Sequence, residues 1–259
     1  MAESVLRVGL VYPSVLGTYG DSGNALILVE RATRRGIPAE LVVIDNDDAV
    51  PSDLDIYSLG GGEDTAQAIA AERLRKNPGL SQAAAKGAQV LAICASLQVL
   101  GNSYTDATGR TVDGLGLLDV TTAPRGSRAI GELVTEPLLS GLTQLLTGFE
   151  NHGGGTTLGP DATPLGRVLA GVGNGPVGEE PLYEGAVQGS VIGTYLHGPV
   201  LARNPQLADY LLERVVGSEL SELEIDGVGQ LRKERLEAAG IVIGRLPHVD
   251  QPRLDWEQC

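Results

Sequence analysis

The chain has 259 residues, enough to bury one large α/β core, and its 33 acidic against 19 basic side chains leave a formal charge of −14. Such a surface repels a nucleic-acid duplex or an anionic membrane face, which argues against nucleic acid as a partner. Thirty-six glycines beside few aromatic residues point to many tight turns in a strand-rich scaffold, not to a helical bundle.

The opening Met1-Ala2-Glu3-Ser4 leads straight into a strand-like segment, and no run of about eighteen apolar residues occurs, so a cytoplasmic protein without direct membrane insertion is expected. Val5 to Val11 reads as a buried strand. Asn24 to Arg35 follows with helical spacing of Leu26, Ile27, Val29 and Ala32 and a Gly36 stop. Leu41 to Ile44 and Leu54 to Leu59 read as further strands, Thr65 to Arg75 as a helix, and Gln89 to Ile93 as the strand before Cys94. This alternation predicts a mainly parallel sheet covered on both faces. Beyond Gly101 the extended segments Leu115 to Thr122, Ala129 to Val134 and Gly166 to Val172 are separated by Gly, Pro and Asn, which predicts some antiparallel pairing. Ala186 to Tyr195 resumes strand character, Pro205 to Val216 is an amphipathic helix, and Gly227 to Gly240 reads as one more helix. One domain over residues 1–217 is expected, with a C-terminal helix and tail over 218–259, packed on it or on a partner. Residues 241–259 hold more prolines and polar turns than periodicity.

Two cysteines, one of them the last residue, cannot make a disulfide framework and fit a reducing compartment. Cys94 stands where an apolar strand stops and a helix-like stretch from Ser96 to Leu100 begins, the placement by which α/β enzymes present a nucleophile. The plainer alternative is a cysteine packed as a small hydrophobe. A catalytic thiol wants a base, and there are three histidines. His248 lies in the proline-flanked tail. His152 lies in Phe149-Glu150-Asn151-His152-Gly153-Gly154-Gly155, read as a loop whose glycines permit close approach to a ligand. His197 follows a strand and precedes Gly198-Pro199, so it is the preferred base, because ligands of open α/β sheets gather at the carboxyl ends of strands.

Two more segments, both read as loops, fit this site. Gly60-Gly61-Gly62-Glu63-Asp64 ends a strand and offers backbone N–H groups to an oxyanion, or else is a plain turn into a helix. Pro124-Arg125-Gly126-Ser127-Arg128 carries guanidinium groups able to grip a carboxylate. There is no P-loop and no histidine or cysteine pair at metal-ligand spacing, so neither a metal nor a cofactor is expected.

The ordered set of Gly60-Gly61-Gly62-Glu63-Asp64, Ile93-Cys94 with Gln98, and Tyr195-Leu196-His197-Gly198 resembles the class I glutamine amidotransferases of the cobyric acid synthase (CobB/CobQ) type. More narrowly, Tyr12-Pro13, Thr18-Tyr19-Gly20-Asp21-Ser22-Gly23-Asn24 and Gly148-Phe149-Glu150-Asn151-His152-Gly153-Gly154 look like the glutaminase subunits of lipid II isoglutaminyl synthases. The resemblance implies a flavodoxin-like fold and a Cys94 nucleophile that attacks the side-chain amide of glutamine. It further implies that His197 shuttles the proton, that Arg128 holds the α-carboxylate, that Gly61, Gly62 and the Ala95 N–H supply oxyanion donors, and that Gln98 lines the pocket. The implied partner is a MurT-like Mur-ligase ATPase, which would receive the ammonia and amidate D-glutamate of lipid II to D-isoglutamine. Two departures stand out. The elbow carries Ala92, Ala95 and Ser96 in place of a glycine-rich surround, and the carboxylate often found two residues after the histidine is here Pro199. A Cys-His dyad, completed by an acid from the partner, is therefore the expectation. A stand-alone cysteine amide hydrolase and a non-catalytic regulatory subunit are the alternatives.

Overall fold

The computed structural model describes residues 5–106, 108–175 and 182–241. Its first half runs β1 (Leu6–Val11), α1 (Gly23–Arg34), β2 (Ala39–Ile44), β3 (Ile56–Leu59), α2 (Asp64–Lys76), α3 (Gly79–Ala85), β4 (Gln89–Ile93) and α4 (Ala95–Leu100). Then come β5 (Ser103–Thr105), β6 (Thr111–Asp113), β7 (Val120–Pro137), β8 (Leu146–Leu158), β9 (Gly166–Ala170), β10 (Tyr183–Glu184), β11 (Ala186–Gln188) and β12 (Val191–Thr194). Three helices follow: α5 (Val200–Arg203), α6 (Pro205–Val216) and α7 (Val228–Ala238).

The first sheet has the order β11-β12-β4-β3-β1-β2, parallel throughout except for the antiparallel edge strand β11. Its central strands are the apolar runs of the sequence. Every residue of β3, β4 and β12 is buried, as a sheet covered on both faces requires. From β2 to β12 the order is the flavodoxin-like one. It places the topological switch point between β1 and β3, where the connections leave in opposite directions and a crevice opens at the strands' carboxyl ends. Helix α1 is anchored to α6 by Arg31 and Arg35, whose guanidinium groups meet the Asp209 carboxylate at 2.6 and 2.9 Å.

The second sheet, β10-β9-β7-β5-β6 with β8 on β7, is mostly antiparallel, as the segments beyond Gly101 predicted. Its axis is the long β7–β8 hairpin, paired from Val120↔Leu158 to Thr135↔Leu146. Here the sequence expectation needs correcting. The segments at 124–128 and 149–155, read as loops from their glycines, are strand, and residues 125–128 form a register shift within β7. Glycine serves close packing instead: a Cβ on Gly148 would stand 2.7 Å from the Leu196 Cβ, so β8 can cross the chain leading to His197 only without a side chain there.

Helix α7 packs back on this region. Arg232 donates to the carbonyls of Leu145 (2.8 Å) and Arg203, and Arg235 reaches Glu132 of β7 at 3.5 Å. No helix among the described residues is long and apolar enough to cross a membrane. His248, Cys259 and the tail from residue 242 onward lie outside the described residues.

Candidate active site

Cys94 is the first residue after β4 and has φ +51° and ψ −102°, one of three non-glycine residues with positive φ among those described. A conformation that L-residues avoid, costing of order 1–3 kcal/mol, persists only where the surroundings over-determine it. Here the Cys94 N–H donates to the Thr194 carbonyl of β12 at 2.8 Å, and its carbonyl accepts from the Gln98 N–H at 3.3 Å. The result is the sharp strand-to-helix elbow expected from the sequence. Small neighbours suffice for it: Ala92 and Ala95 are buried, and Ser96 donates to the Gly60 carbonyl at 2.6 Å. The thiol is free and 9% exposed, at the floor of an open cavity of about 220 Å³. Drug-sized ligands usually occupy ~300–1,000 Å³, so the space suits a molecule the size of an amino acid.

His197 reaches the same cavity from the end of β12. Its backbone is clamped to Phe149 of β8 by two hydrogen bonds, 2.9 and 3.1 Å, and the ring, 1% exposed, meets the edge of Tyr19 at 4.8 Å between centroids. Its Nδ1 lies 2.9 Å from Asp21 Oδ2 in the connection between β1 and α1, and Asp21 is wholly buried. The second ring nitrogen, Nε2, is buried and makes no hydrogen bond among the described residues. Burial disfavours the imidazolium, but the hydrogen bond to Asp21 and the interaction with the Cys94 sulfur outweigh it and raise the His197 pKa to about 9. The ring is therefore charged at neutral pH, and an imidazolium neighbour stabilises the thiolate form of a cysteine.

Asp21 revises two expectations. The acid beside His197, assigned above to a partner chain, stands within this chain. Gly61, expected to present its N–H to an oxyanion, donates it instead to Asp21 Oδ2 at 2.9 Å, out of the cavity. The glycine run has a steric cause. A Cβ on Gly60 would stand 2.0 Å from the Leu16 carbonyl oxygen, one on Gly62 2.7 Å from that of Val15, and one on Gly61 2.7 Å from His197 Cε1. These residues let the connection after β1 lie directly on the connection after β3, which brings Asp21 within hydrogen-bond reach of the imidazole. The Gly62 amide has no partner among the described residues and stands at the cavity wall, and the Ala95 amide opens the first turn of α4, where N–H groups lack intrahelical acceptors.

The opposite wall comes from the hairpin. Arg128 is exposed at the cavity edge, with its Nε donating to Asn151 Oδ1 at 2.5 Å and its Nη2 to the Asn151 carbonyl at 3.3 Å, while the Asn151 amide in turn donates to the Tyr19 hydroxyl. Gln98 also lines the cavity. It accepts from Gln67 at 2.8 Å and donates to the Tyr195 hydroxyl at 3.2 Å. His152, expected in a loop, is a strand residue at the cavity wall: it is buried, stacked on Tyr195 at 3.7 Å, and tied to Glu150 at 3.3 Å and to the Gly154 carbonyl at 2.9 Å. Thus Cys94, His197, Gly62, Ala95, Gln98 and Arg128 converge on one cavity, and Gly61 stands behind it. Among the described residues no three His, Cys, Asp or Glu side chains are grouped so as to hold a metal ion.

An elbow cysteine and an acid-bound imidazole at the carboxyl end of a flavodoxin-like sheet are an arrangement able to carry acyl transfer. Residues 7–205 match the model of the CobB/CobQ-like glutamine amidotransferase domain, and the chain belongs to that family and is a glutamine amidotransferase. At the level of particular proteins, it is 36% identical over 226 residues, covering 85% of this chain and 90% of the relative, to the Staphylococcus aureus lipid II isoglutaminyl synthase (glutamine-hydrolyzing) subunit GatD. The Streptococcus pneumoniae GatD subunit is 36% identical over 206 residues, 78% of this chain and 77% of the relative. Among solved structures, a glutamine amidotransferase superposes with a TM-score of 0.54 at 19% identity, over 81% of this chain and 98% of its own, a likeness of fold.

Proposed function

We propose that this chain is the glutaminase subunit of a lipid II isoglutaminyl synthase. It hydrolyses L-glutamine and passes the ammonia to a MurT-like Mur-ligase ATPase, which amidates D-glutamate of lipid II to D-isoglutamine. The reading is supported by the similarity to the two GatD subunits over 85% and 78% of the chain, and the observation that carries its chemistry is the Cys94–His197–Asp21 array at the ends of β4 and β12 and in the turn after β1.

The glutamine α-carboxylate pairs with Arg128, and its side-chain amide lies over Cys94. The thiolate attacks the amide carbon, and the oxygen takes up the negative charge between the Gly62 and Ala95 N–H groups. Each such donor is worth about 2.7–4 kcal/mol in a transition state of this kind. The C–N bond then breaks as His197 Nε2–H protonates the departing nitrogen, releasing ammonia and leaving a glutamyl thioester. Water attacks the thioester while His197, now neutral, accepts its proton; glutamate departs and the ion pair is restored. Asp21 keeps the proton on Nδ1 throughout, so that Nε2 always faces the reacting atoms. Because the partner reaction consumes ATP and a lipid-linked acceptor, the subunit works in the cytoplasm and meets lipid II only through its partner.

The test is ammonia release from L-glutamine by the purified chain, with L-asparagine and small peptide amides as controls, alone and with the ligase subunit, ATP and lipid II. Wild type should release ammonia from glutamine alone among these and support amidation of lipid II, and Cys94→Ala should do neither. Arg128→Ala should raise KM for glutamine by about 10–100-fold, the loss of a charge-assisted pair of about 1.5–3 kcal/mol. Broad amidase activity without the partner would favour a stand-alone hydrolase, and an intact pathway in cells carrying Cys94→Ala would favour a regulatory subunit.

A further inference from the structure

The geometry points to Glu184 as a positioning residue for both reacting side chains: its buried carboxyl fixes the turn that carries His197 and braces the residue that holds the Cys94 amide. Glu184 ends β10 in the second sheet and is wholly buried, yet it is not part of the cavity. Its Oε1 accepts the Thr194 hydroxyl at 2.8 Å and the Tyr195 N–H at 2.6 Å. The Thr194 hydroxyl oxygen accepts the Leu196 N–H at 3.1 Å, and the Thr194 carbonyl accepts the Cys94 N–H at 2.8 Å. One carboxyl oxygen thus satisfies the chain between the last ladder pair of β12, Thr194↔Ile93, and the clamp of His197 on Phe149, where no strand partner is available.

Glu184 is itself held rigidly. Asn174 donates to the Gly185 carbonyl at 2.8 Å and accepts its N–H at 2.9 Å. Gly185, at φ +67°, would carry a Cβ 2.6 Å from the Gly193 carbonyl oxygen, so the backbone runs against β12 close enough for the neighbouring carboxyl to reach over it. Burial, opposed by the Tyr195 and Thr194 hydrogen bonds and aided by the Glu150 carboxylate of β8, raises the Glu184 pKa to about 7. Its Oε2 has no partner among the described residues. The work falls on Oε1 as an acceptor, which a neutral carboxamide supplies equally well.

This inference rests on the glutaminase reading, so its test includes a readout that does not need glutamine. Glu184→Gln and Glu184→Met are compared for kcat and KM of ammonia release, for iodoacetamide alkylation of Cys94 resolved by peptide mass spectrometry with Cys259 as the internal reference, and for Tm. Gln should stay within about threefold of wild type. Met, which fills the space without accepting a hydrogen bond, should lower kcat by about 10²-fold at nearly constant KM and slow Cys94 alkylation about tenfold, the scale of an ångström-sized misplacement of reacting groups. Should Met fail to fold, Thr194→Val, which deletes the hydroxyl between Glu184 and Leu196, takes its place, with about a tenfold loss expected in both readouts. Unchanged kcat and alkylation in Met or Val, or a Gln variant as impaired as Met, would overturn the proposal. If alkylation separates Gln from Met while no protein releases ammonia from glutamine, the positioning role stands and the glutaminase reading fails.

Discussion

The sharpest test of the site is Asp21→Asn. In the folded chain Asp21 Oδ2 accepts from Gly61 N–H and from His197 Nδ1, each at 2.9 Å, with no solvent exposure at the acid and 1% at the histidine. An asparagine oxygen at that position still accepts both hydrogen bonds, so the architecture survives and what disappears is the negative charge. Burial then acts on the imidazolium opposed chiefly by the Cys94 sulfur, and the His197 pKa falls from about 9. A fall of about two units costs the charged ring roughly 3 kcal/mol at ~1.36 kcal/mol per unit, or about 10²-fold in any rate that depends on it. The assay is ammonia release from L-glutamine between pH 6 and pH 9.5, followed by coupled reduction of a keto acid. We expect kcat to drop about 10²-fold, KM to change less than about threefold, and the alkaline limb of the profile to move down by about two pH units. Asp21→Ala should be worse in a different way. It leaves two buried donors without an acceptor, at about 1–3 kcal/mol each, and the protein should lose Tm as well as turnover. An Asp21→Asn enzyme within twofold of wild type, with its alkaline limb unmoved, would refute the idea that this carboxylate holds the charge on His197.

The strained elbow predicts that Cys94→Gly abolishes turnover yet raises Tm by several degrees, since glycine relieves a backbone cost of about 1–3 kcal/mol; an unchanged or lower Tm in calorimetry would count against stored strain. Gly61→Ala places a methyl 2.7 Å from His197 Cε1 and should cut kcat at least tenfold while leaving KM nearly constant, which steady-state kinetics will check. Stability should also depend on pH. The His197 pKa is raised from 6.5 to about 9, so its contribution, about 3 kcal/mol at ~1.36 kcal/mol per unit, is complete below pH 6.5 and is lost as pH rises through 9. Glu184, raised from 4.5 to about 7, acts with the same sign in a lower window: the folded state holds its proton more tightly, so stability declines between pH 4.5 and 7, and Glu184→Gln should flatten that part of a denaturation series.

The parallel half of the fold was legible because its central strands are buried on both faces and so appear as unbroken apolar runs; Val5 to Val11 and Gln89 to Ile93 coincide with β1 and β4 to within a residue. Cys94 and His197 were legible for a related reason, since each follows such a run and strand ends are where an open sheet exposes side chains. Asp21 was missed, although it lies in the Thr18 to Asn24 stretch that carries the family resemblance. A lone aspartate in a glycine-rich turn has no periodicity to mark it, and only the switch point between β1 and β3 singles that turn out. The hairpin was misread where glycine does strand work. Gly148 lies under Leu196, and Gly154 would bring a Cβ within 2.7 Å of the Gln98 amide nitrogen, so these residues record tight crossings that sequence reading takes for loops. Glu184 gave no signal at all: one glutamate in a turn-rich segment looks like surface, and its burial depends on a sheet formed by residues far from it in the chain.

Cys94 and His197, the proposed nucleophile and base, follow adjacent strands of a single ladder, β4 and β12, paired from Val90↔Val191 to Ile93↔Thr194. Neighbouring strands keep a spacing of about 4.8 Å, whatever side chains they bear. The separation at which the chain leaves the sheet toward Cys94 and toward His197 is thereby set by main-chain hydrogen bonding. The turns beyond the ladder can change in sequence while that main-chain spacing stays the same.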